Sequence, residues 1–203
     1  MASEAQPGIP GGLVKAGLEG LSAAAREVTR RGPAPVHLWN PAFCGDIDMR
    51  IARDGTWFYN GSPIGRLPLV QLFASILRKD EDRYVLVTPV EKVGIRVDDA
   101  PFTGVEMKVT RDDHGQVIAL RTNVEDWVEA GPEHPLRFAP GASEGLKPYV
   151  HVRGGLEALV KRALFYDLVD LGETRAVDGV DMFGVVSKGA FFAVARADEI
   201  AGL

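Results

Sequence analysis

Cysteine is almost missing from this chain: Cys44 is the single one among 203 residues. An intramolecular disulfide framework and a multi-cysteine zinc site are therefore excluded, as suits a reducing compartment. Long apolar runs are missing as well. No stretch approaches the roughly 18 consecutive apolar residues of a membrane span, and residues 1–12 carry neither the basic cluster nor the apolar centre of a signal peptide. Basic charge is not in excess, since 23 Lys and Arg face 28 Asp and Glu for a net charge of −5. A surface that neutralises a row of phosphates needs the opposite balance, so nucleic acid is not the expected partner. The four histidines show no His-x-x-x-His spacing, and no Gly-x-Ser-x-Gly, Gly-x-x-x-x-Gly-Lys-Ser/Thr or Gly-x-Gly-x-x-Gly occurs. These absences together describe a soluble, cytoplasmic protein outside the standard nucleotide and hydrolase folds.

What is present is an ordinary globular composition, 46% hydrophobic and 25% charged, with enough apolar material for a core. Val14, Leu18, Leu21, Ala25 and Val28 recur at steps of four and three, which predicts an amphipathic helix over about 12–30. That helix has a stripe suited to its own body or to a protein partner. Beyond it, Ile47, Met49 and Ile51 alternate with Asp46, Asp48 and Arg50, the period of a strand with one apolar and one polar face. Asp54-Gly55 supplies a hairpin turn, and Thr56–Tyr59 the return strand. A helix follows with Pro68 in its first turn and Leu69, Leu72, Phe73 and Ile76 as its buried stripe. Two more strands are expected at 84–87 and 93–97.

The second half reads similarly. A hairpin turns at Asp112-Asp113-His114-Gly115, an irregular stretch fills 131–145, and a strand runs from Tyr149 to Arg153 into Gly154-Gly155. From Leu156 a stripe of Leu159, Val160, Ala163, Leu164 and Leu168 predicts a second long helix, and a last hairpin turns at Ser187-Lys188-Gly189. The expected fold class is α+β, with two repeated strand-hairpin, helix and strand-pair units packed together behind an amino-terminal helix. The expected division is an arm and helix over 1–36, a first repeat over 37–100 and a second over 101–203.

Candidate chemistry concentrates in a few places. Asp46 and Asp48 share a strand face with Arg50, a spacing that suits one hard divalent cation or a salt-bridged recognition surface. Trp57 and Tyr59 share a face of the return strand and can stack on a planar ligand if that face lines a cleft. Gly65-Arg66 and Arg153-Gly154-Gly155 each place an arginine and glycine before a predicted helix, where free amides and the helix dipole favour an anion. Tyr149, His151 and Arg153 fall on one strand face. Cys44 with His37 makes only a weak nucleophile and base pair, because nothing in the sequence fixes their geometry.

The run Trp39-Asn40-Pro41 through Cys44-Gly45-Asp46-Ile47-Asp48-Met49-Arg50-Ile51, then Asp54-Gly55-Thr56-Trp57-Phe58-Tyr59-Asn60-Gly61-Ser62-Pro63-Ile64, resembles the bacterial family called domain of unknown function 1285. The likeness continues through Val87-Thr88-Pro89-Val90-Glu91-Lys92 and Trp127. The resemblance implies a cytoplasmic bacterial protein of two repeated α+β units, the second loosely like a pleckstrin-homology fold, and it supplies no catalytic residues.

The functional expectation is a non-enzymatic ligand-binding or signalling module. It holds a small anionic or nucleotide-like ligand at the interface of the two repeats, with Asp46, Asp48, Arg50, Trp57, Tyr59, Arg66, Tyr149, His151 and Arg153 as its binding residues. The alternative is a divalent-metal-dependent hydrolase or transferase using Asp46 and Asp48, with His151 as base. No cofactor and no complete catalytic or metal-ligand set is named by the sequence.

Overall fold

A computed structural model describes residues 13–29, 34–113, 115–141 and 145–200. The predicted turn residue His114 lies outside them. The chain divides into two compact units, the first running up to Arg50 and resuming over Phe58–Arg96, the second comprising Ile51–Trp57 and Val97 onward.

The first unit opens with helix α1 (Leu13–Thr29), whose backbone kinks at Gly17. Of the predicted stripe, Leu21 and Ala25 are fully buried, and α1 lies against helix α2 (Leu67–Ser75). A short 3-10 turn over Val36–Leu38 follows. Arg78 secures it, donating to the carbonyls of Val36 and Trp39 and, through Nε and Nη2, to both carboxylate oxygens of Asp80. Lys92 adds a third cationic bond to Asp80 at 2.8 Å. The Arg78 hydrogen bond is the largest influence on that carboxyl, which is held down at about 2.

Strands β1 (Phe43–Ile51), β2 (Trp57–Tyr59), β3 (Ser62–Pro63), β4 (Leu77–Asp80), β5 (Arg83–Val87) and β6 (Lys92–Val97) form one sheet in the order β3-β2-β1-β6-β5-β4. The predicted alternation on β1 holds: Met49 and Ile51 are buried while Asp46 and Asp48 face outward. Asp54-Gly55 makes its turn, with the Gly55 amide donating to Ala52 and the Thr56 amide to the Asp54 carboxylate. Strand β4 is not among the expected strands, because Arg78, Lys79 and Asp80 are charged in succession. Its long side chains instead bury their stems and pair their ends.

The second unit carries β7 (Phe102–Asp112), β8 (Gly115–Thr122), β9 (Trp127–Glu129), β10 (Leu136–Pro140), β11 (Leu146–Arg153) and β12 (Leu156–Val160), ordered β10-β11-β12-β7-β8-β9. Read from β9, this repeats the first sheet's plan: two three-strand meanders joined through the first and last strands. The duplication thus lies in the sheets. The helices do not correspond, because α2 sits between the third and fourth strands of its sheet, whereas α3 (Arg162–Asp170) follows the sixth strand of the other. The predicted long helix from Leu156 is corrected accordingly. Leu156, Ala158 and Val160 are buried on alternate positions, a strand period that the helical reading of Leu159 and Val160 overlooked. Helix begins only after Lys161.

A three-stranded sheet completes the unit: β13 (Gly172–Val177), β14 (Val180–Ser187) and β15 (Ala190–Arg196), with a final turn of helix, α4 (Ala197–Ile200). The β14–β15 turn is bonded to β8, with the Lys188 amide donating to the Gln116 carbonyl and Gln116 Nε2 to the Val186 carbonyl. Gly184 lies under this hairpin, where a Cβ would stand 2.5 Å from both the Phe192 carbonyl oxygen and the Phe191 ring. Backbone cannot yield as a side-chain tip does. Gly184→Ala is therefore expected to cost about 1–3 kcal/mol, read as a lower chemical-denaturation midpoint with an unchanged slope.

Candidate functional site

On the first unit, the polar face of β1 is an array of charges on aromatic rings. Gly94 of β6 lacks a Cβ where one would stand 1.9 Å from Asp46 Oδ1, so the Asp46 carboxylate lies directly over the strand. It meets Arg83 at 3.2 Å, and both side chains are well exposed. Arg83 in turn stacks on Phe43 at 4.9 Å and Arg50 on Phe58 at 4.6 Å. The thiol of Cys44 is exposed and directed to the Ala42 carbonyl at 3.4 Å. Among the described residues, no group of three or more His, Cys, Asp or Glu side chains is placed to hold a metal ion.

The remaining predicted residues separate. Trp57 is 1% exposed and belongs to the core, so it offers no surface for stacking. Tyr59 is half-buried. Arg66 caps the start of α2 with its carbonyl, which accepts the Leu69 and Val70 amides, while its side chain is exposed. Arg153-Gly154-Gly155, in contrast, is not at a helix start. Gly154 and Gly155 have φ of 50° and 76° and turn the β11–β12 hairpin. That correction follows from reassigning Leu156–Val160 to a strand.

A bulge between His151 and Arg153 also breaks the expected common face. Arg153 pairs with Asp126 at 3.0 Å and lies over the ring of Phe102. Phe102 pairs with Ala158, whereas Tyr149 pairs with Leu159, one residue on and so on the opposite side. His151 is occupied locally: its Nε2 accepts the Gly155 amide, and its ring stacks on His134 at 6.0 Å.

Tyr149 is the predicted residue around which most converges. Its hydroxyl donates to Asp99 Oδ1 at 2.6 Å, and Lys147, two positions earlier on the same face of β11, donates to Oδ2 at 2.6 Å. Arg53, on the Asp54-Gly55 turn, reaches the same oxygen at 3.5 Å while 69% exposed. From β10, Arg137 stands directly opposite Tyr149 and lays its guanidinium 4.3 Å over the ring. It also grips Glu157 in bidentate fashion at 2.9 and 2.7 Å. Two cations thus contact one carboxylate whose side chain is only 8% exposed, and a third, Arg137, lies over the ring of the tyrosine bonded to it and is held by a second carboxylate.

The electrostatics follow from that crowding. Burial pushes the Asp99 carboxyl up, but hydrogen bonds from Lys147 and Tyr149 and the charges of Lys147 and Arg53 outweigh it and hold it below the usual range. Burial, and then the bond to Asp99, push the Tyr149 phenol up, so it remains a neutral donor. Asp99, Lys147, Arg53 and Arg137 were not legible as a group. Lys147 and Tyr149 are linked by strand period alone, whereas Asp99 and Arg53 arrive through tertiary pairing. Arg137 sits on a strand hidden within an apparently irregular stretch.

The sequence matches the N-terminal domain model of domain of unknown function 1285 over residues 34–100 and the C-terminal domain model of the same family over 101–194. The chain belongs to the DUF1285 family. A crystal structure of a DUF1285 family protein from Silicibacter pomeroyi DSS-3 is similar at 55% identity, covering 89% of this chain and 97% of that one with a TM-score of 0.80. A second, from Shewanella baltica OS155, is 28% identical over 60% of this chain and 90% of that one, with a TM-score of 0.48. Among curated proteins none matches the chain. No described helix is long and apolar enough to cross a membrane.

Proposed function

We propose that this DUF1285 protein is a non-enzymatic binding module for a small anionic ligand, held on the second unit by Arg53, Lys147 and Arg137 around Tyr149. The observation that carries the reading is the gathering of Lys147 and Arg53 on the Asp99 carboxylate, with Arg137 over the ring of Tyr149, whose hydroxyl bonds the same carboxylate. Arg53, Lys147 and Arg137 against Asp99 and Glu157 leave one positive charge in a chain whose net charge is −5. Arg53 is mostly exposed, and its contact to Asp99 is long, so it can turn its fork to an incoming phosphate or carboxylate. Asp99 keeps the cations poised before the ligand arrives, which lowers the ordering cost of binding.

A nucleotide fits through its phosphates. The Tyr149 ring is 6% exposed and covered by Arg137, so the cluster offers donors and no stacking surface. Occupancy without turnover suits a cytoplasmic signalling role, and the loosely pleckstrin-homology-like reading of the second unit accords with an anion site borne on a sheet. The metal-dependent hydrolase draws less support, because Asp46 is engaged by Arg83.

The test is a thermal-shift titration with inorganic phosphate, pyrophosphate and a nucleoside triphosphate, each with and without Mg²⁺. A saturating upward shift is expected, with affinity about tenfold weaker in Arg53→Ala, whose exposed side chain can be removed without disturbing the core. No shift with any of the three anions, or an unchanged affinity in Arg53→Ala, would overturn the proposal. Turnover lost in a folded Asp46→Asn variant would replace it with the hydrolase.

A further inference from the structure

The three-stranded sheet ends on β13, which pairs with β14 on one side; among the described residues no strand lies on the other. Glu173 to Val177 are exposed. The two-residue turn Asp178-Gly179, with φ of 52° and 80°, closes on Val177 and Val180. That pair exchanges backbone hydrogen bonds, and by alternation so do Arg175 with Met182 and Glu173 with Gly184. The amides and carbonyls of Gly172, Thr174 and Ala176 consequently point away from β14.

Exposed edges of this kind are commonly blocked by a proline, a bulge or charge of one sign. Strand β13 has none of these. Its sequence, Gly-Glu-Thr-Arg-Ala-Val, contains no proline and its two charges cancel, while its register with β14 is unbroken. We propose that the protein forms a two-fold homodimer in which β13 pairs antiparallel with β13 of a second copy, Thr174 opposite Thr174.

Hydrogen bonding and charge select that register together. Only Gly172, Thr174 and Ala176 have outward backbone groups, so even-numbered residues must face even-numbered residues. Centring the two-fold axis on Glu173 or on Arg175 also satisfies this rule, but it sets two like charges directly opposite, which is destabilising. Centring it on Thr174 brings Glu173 opposite Arg175 of the second copy, twice over by symmetry. Within one chain Arg175 Nε already donates to Glu173, and its guanidinium lies 5.5 Å over the Phe191 ring, so the side chains are held on one face before association. Pairing extends this two-charge row into four alternating charges. The opposite face of β13 carries only Gly172, Thr174 and Ala176, which leaves room for the second strand. The dimer is independent of the anion site.

Sedimentation equilibrium of the full chain over a wide concentration range tests the idea. Wild type is expected to be a reversible dimer that weakens with salt. Glu173→Arg and Arg175→Glu should each weaken it by about tenfold or more, because both cross-strand pairs become repulsive. Mixing the two single variants should give a heterodimer, and the double reversal in one chain should restore self-association. Thr174→Pro removes an amide that takes no part in the intrachain ladder, so it should abolish the dimer and leave the circular dichroism spectrum intact. A chain that stays monomeric at every concentration overturns the proposal. So does a dimer indifferent to the charge reversals and to Thr174→Pro.

Discussion

Ser187→Ala is expected to lower the unfolding free energy by about 2–5 kcal/mol, because one hydroxyl serves two buried backbone groups. Ser187 is fully buried. Its Oγ accepts the Ile118 amide at 2.9 Å and donates to the Ala130 carbonyl at 2.7 Å. The Ala130 amide bonds directly to the Ile118 carbonyl, so the hydroxyl is inserted into the second half of what would be an ordinary antiparallel pair. It does so where β9 ends and the β14–β15 turn takes over the edge of β8. Alanine removes both bonds in a place with no solvent to replace them. Urea denaturation should show the loss as a lower midpoint, and Ser187→Thr, which keeps the hydroxyl, should recover part of it. A loss below about 0.5 kcal/mol would mean that Ile118 and Ala130 close the pair unaided.

That joint illustrates what the sequence could and could not convey. The hairpin at Ser187-Lys188-Gly189 is legible because Lys188 and Gly189 must adopt positive φ, at 49° and 74°, and glycine marks such a turn. The bond from Ser187 to Ile118, 69 positions away, has no local signature. The same division holds elsewhere. The β1 alternation and the α2 stripe were readable because burial follows period. Strands β4, β10 and β13 were not, since Arg78-Lys79-Asp80, Arg137 and Glu173-Thr174-Arg175 are polar at positions that only neighbouring strands make extended. The long helix expected from Leu156 failed for a related reason. Five residues of β12 can be laid on either period, and the glycine pair before them fits a helix start as well as a hairpin turn.

The candidate site was legible to about the same depth. Tyr149 was singled out for sharing a strand face with His151, but its partners come from the ends of other elements. Arg153 drops out through a bulge that no residue pattern announces. The proposed anion site rests on cations other than those the sequence pattern marks: the strand face that presents Tyr149 also presents Lys147, and β11 pairs with β10, from which Arg137 arrives.

Asp99→Ala is expected to be the most damaging single change at that site, at about 3–5 kcal/mol. It leaves the buried Tyr149 hydroxyl without its acceptor and places Lys147, Arg53 and Arg137 together with only Glu157 to offset them. Asp99→Asn, which retains an acceptor but not the charge, should lose less. The pH dependence gives a separate check. The folded-state value of Asp99 lies below the ordinary 3.8, so its contribution is present above that pH and is lost as pH falls through the lowered value. Asp80, at about 2, acts in the same sense. Stability of the wild type should therefore fall on acidification below about pH 4, and Asp99→Ala should shallow that slope without abolishing it, because Asp80 remains. Tyr149 has the opposite sign. Its raised value means that its contribution is complete below the ordinary 10.0 and is lost as pH climbs above it, so Tyr149→Phe should flatten the alkaline limb and, by removing one of the bonds that lower Asp99, also make the acid limb shallower. Unfolding curves at stepped pH for the three proteins decide the matter: an acid limb identical in wild type and Asp99→Ala would show that Lys147 and Tyr149 do not depend on the Asp99 charge.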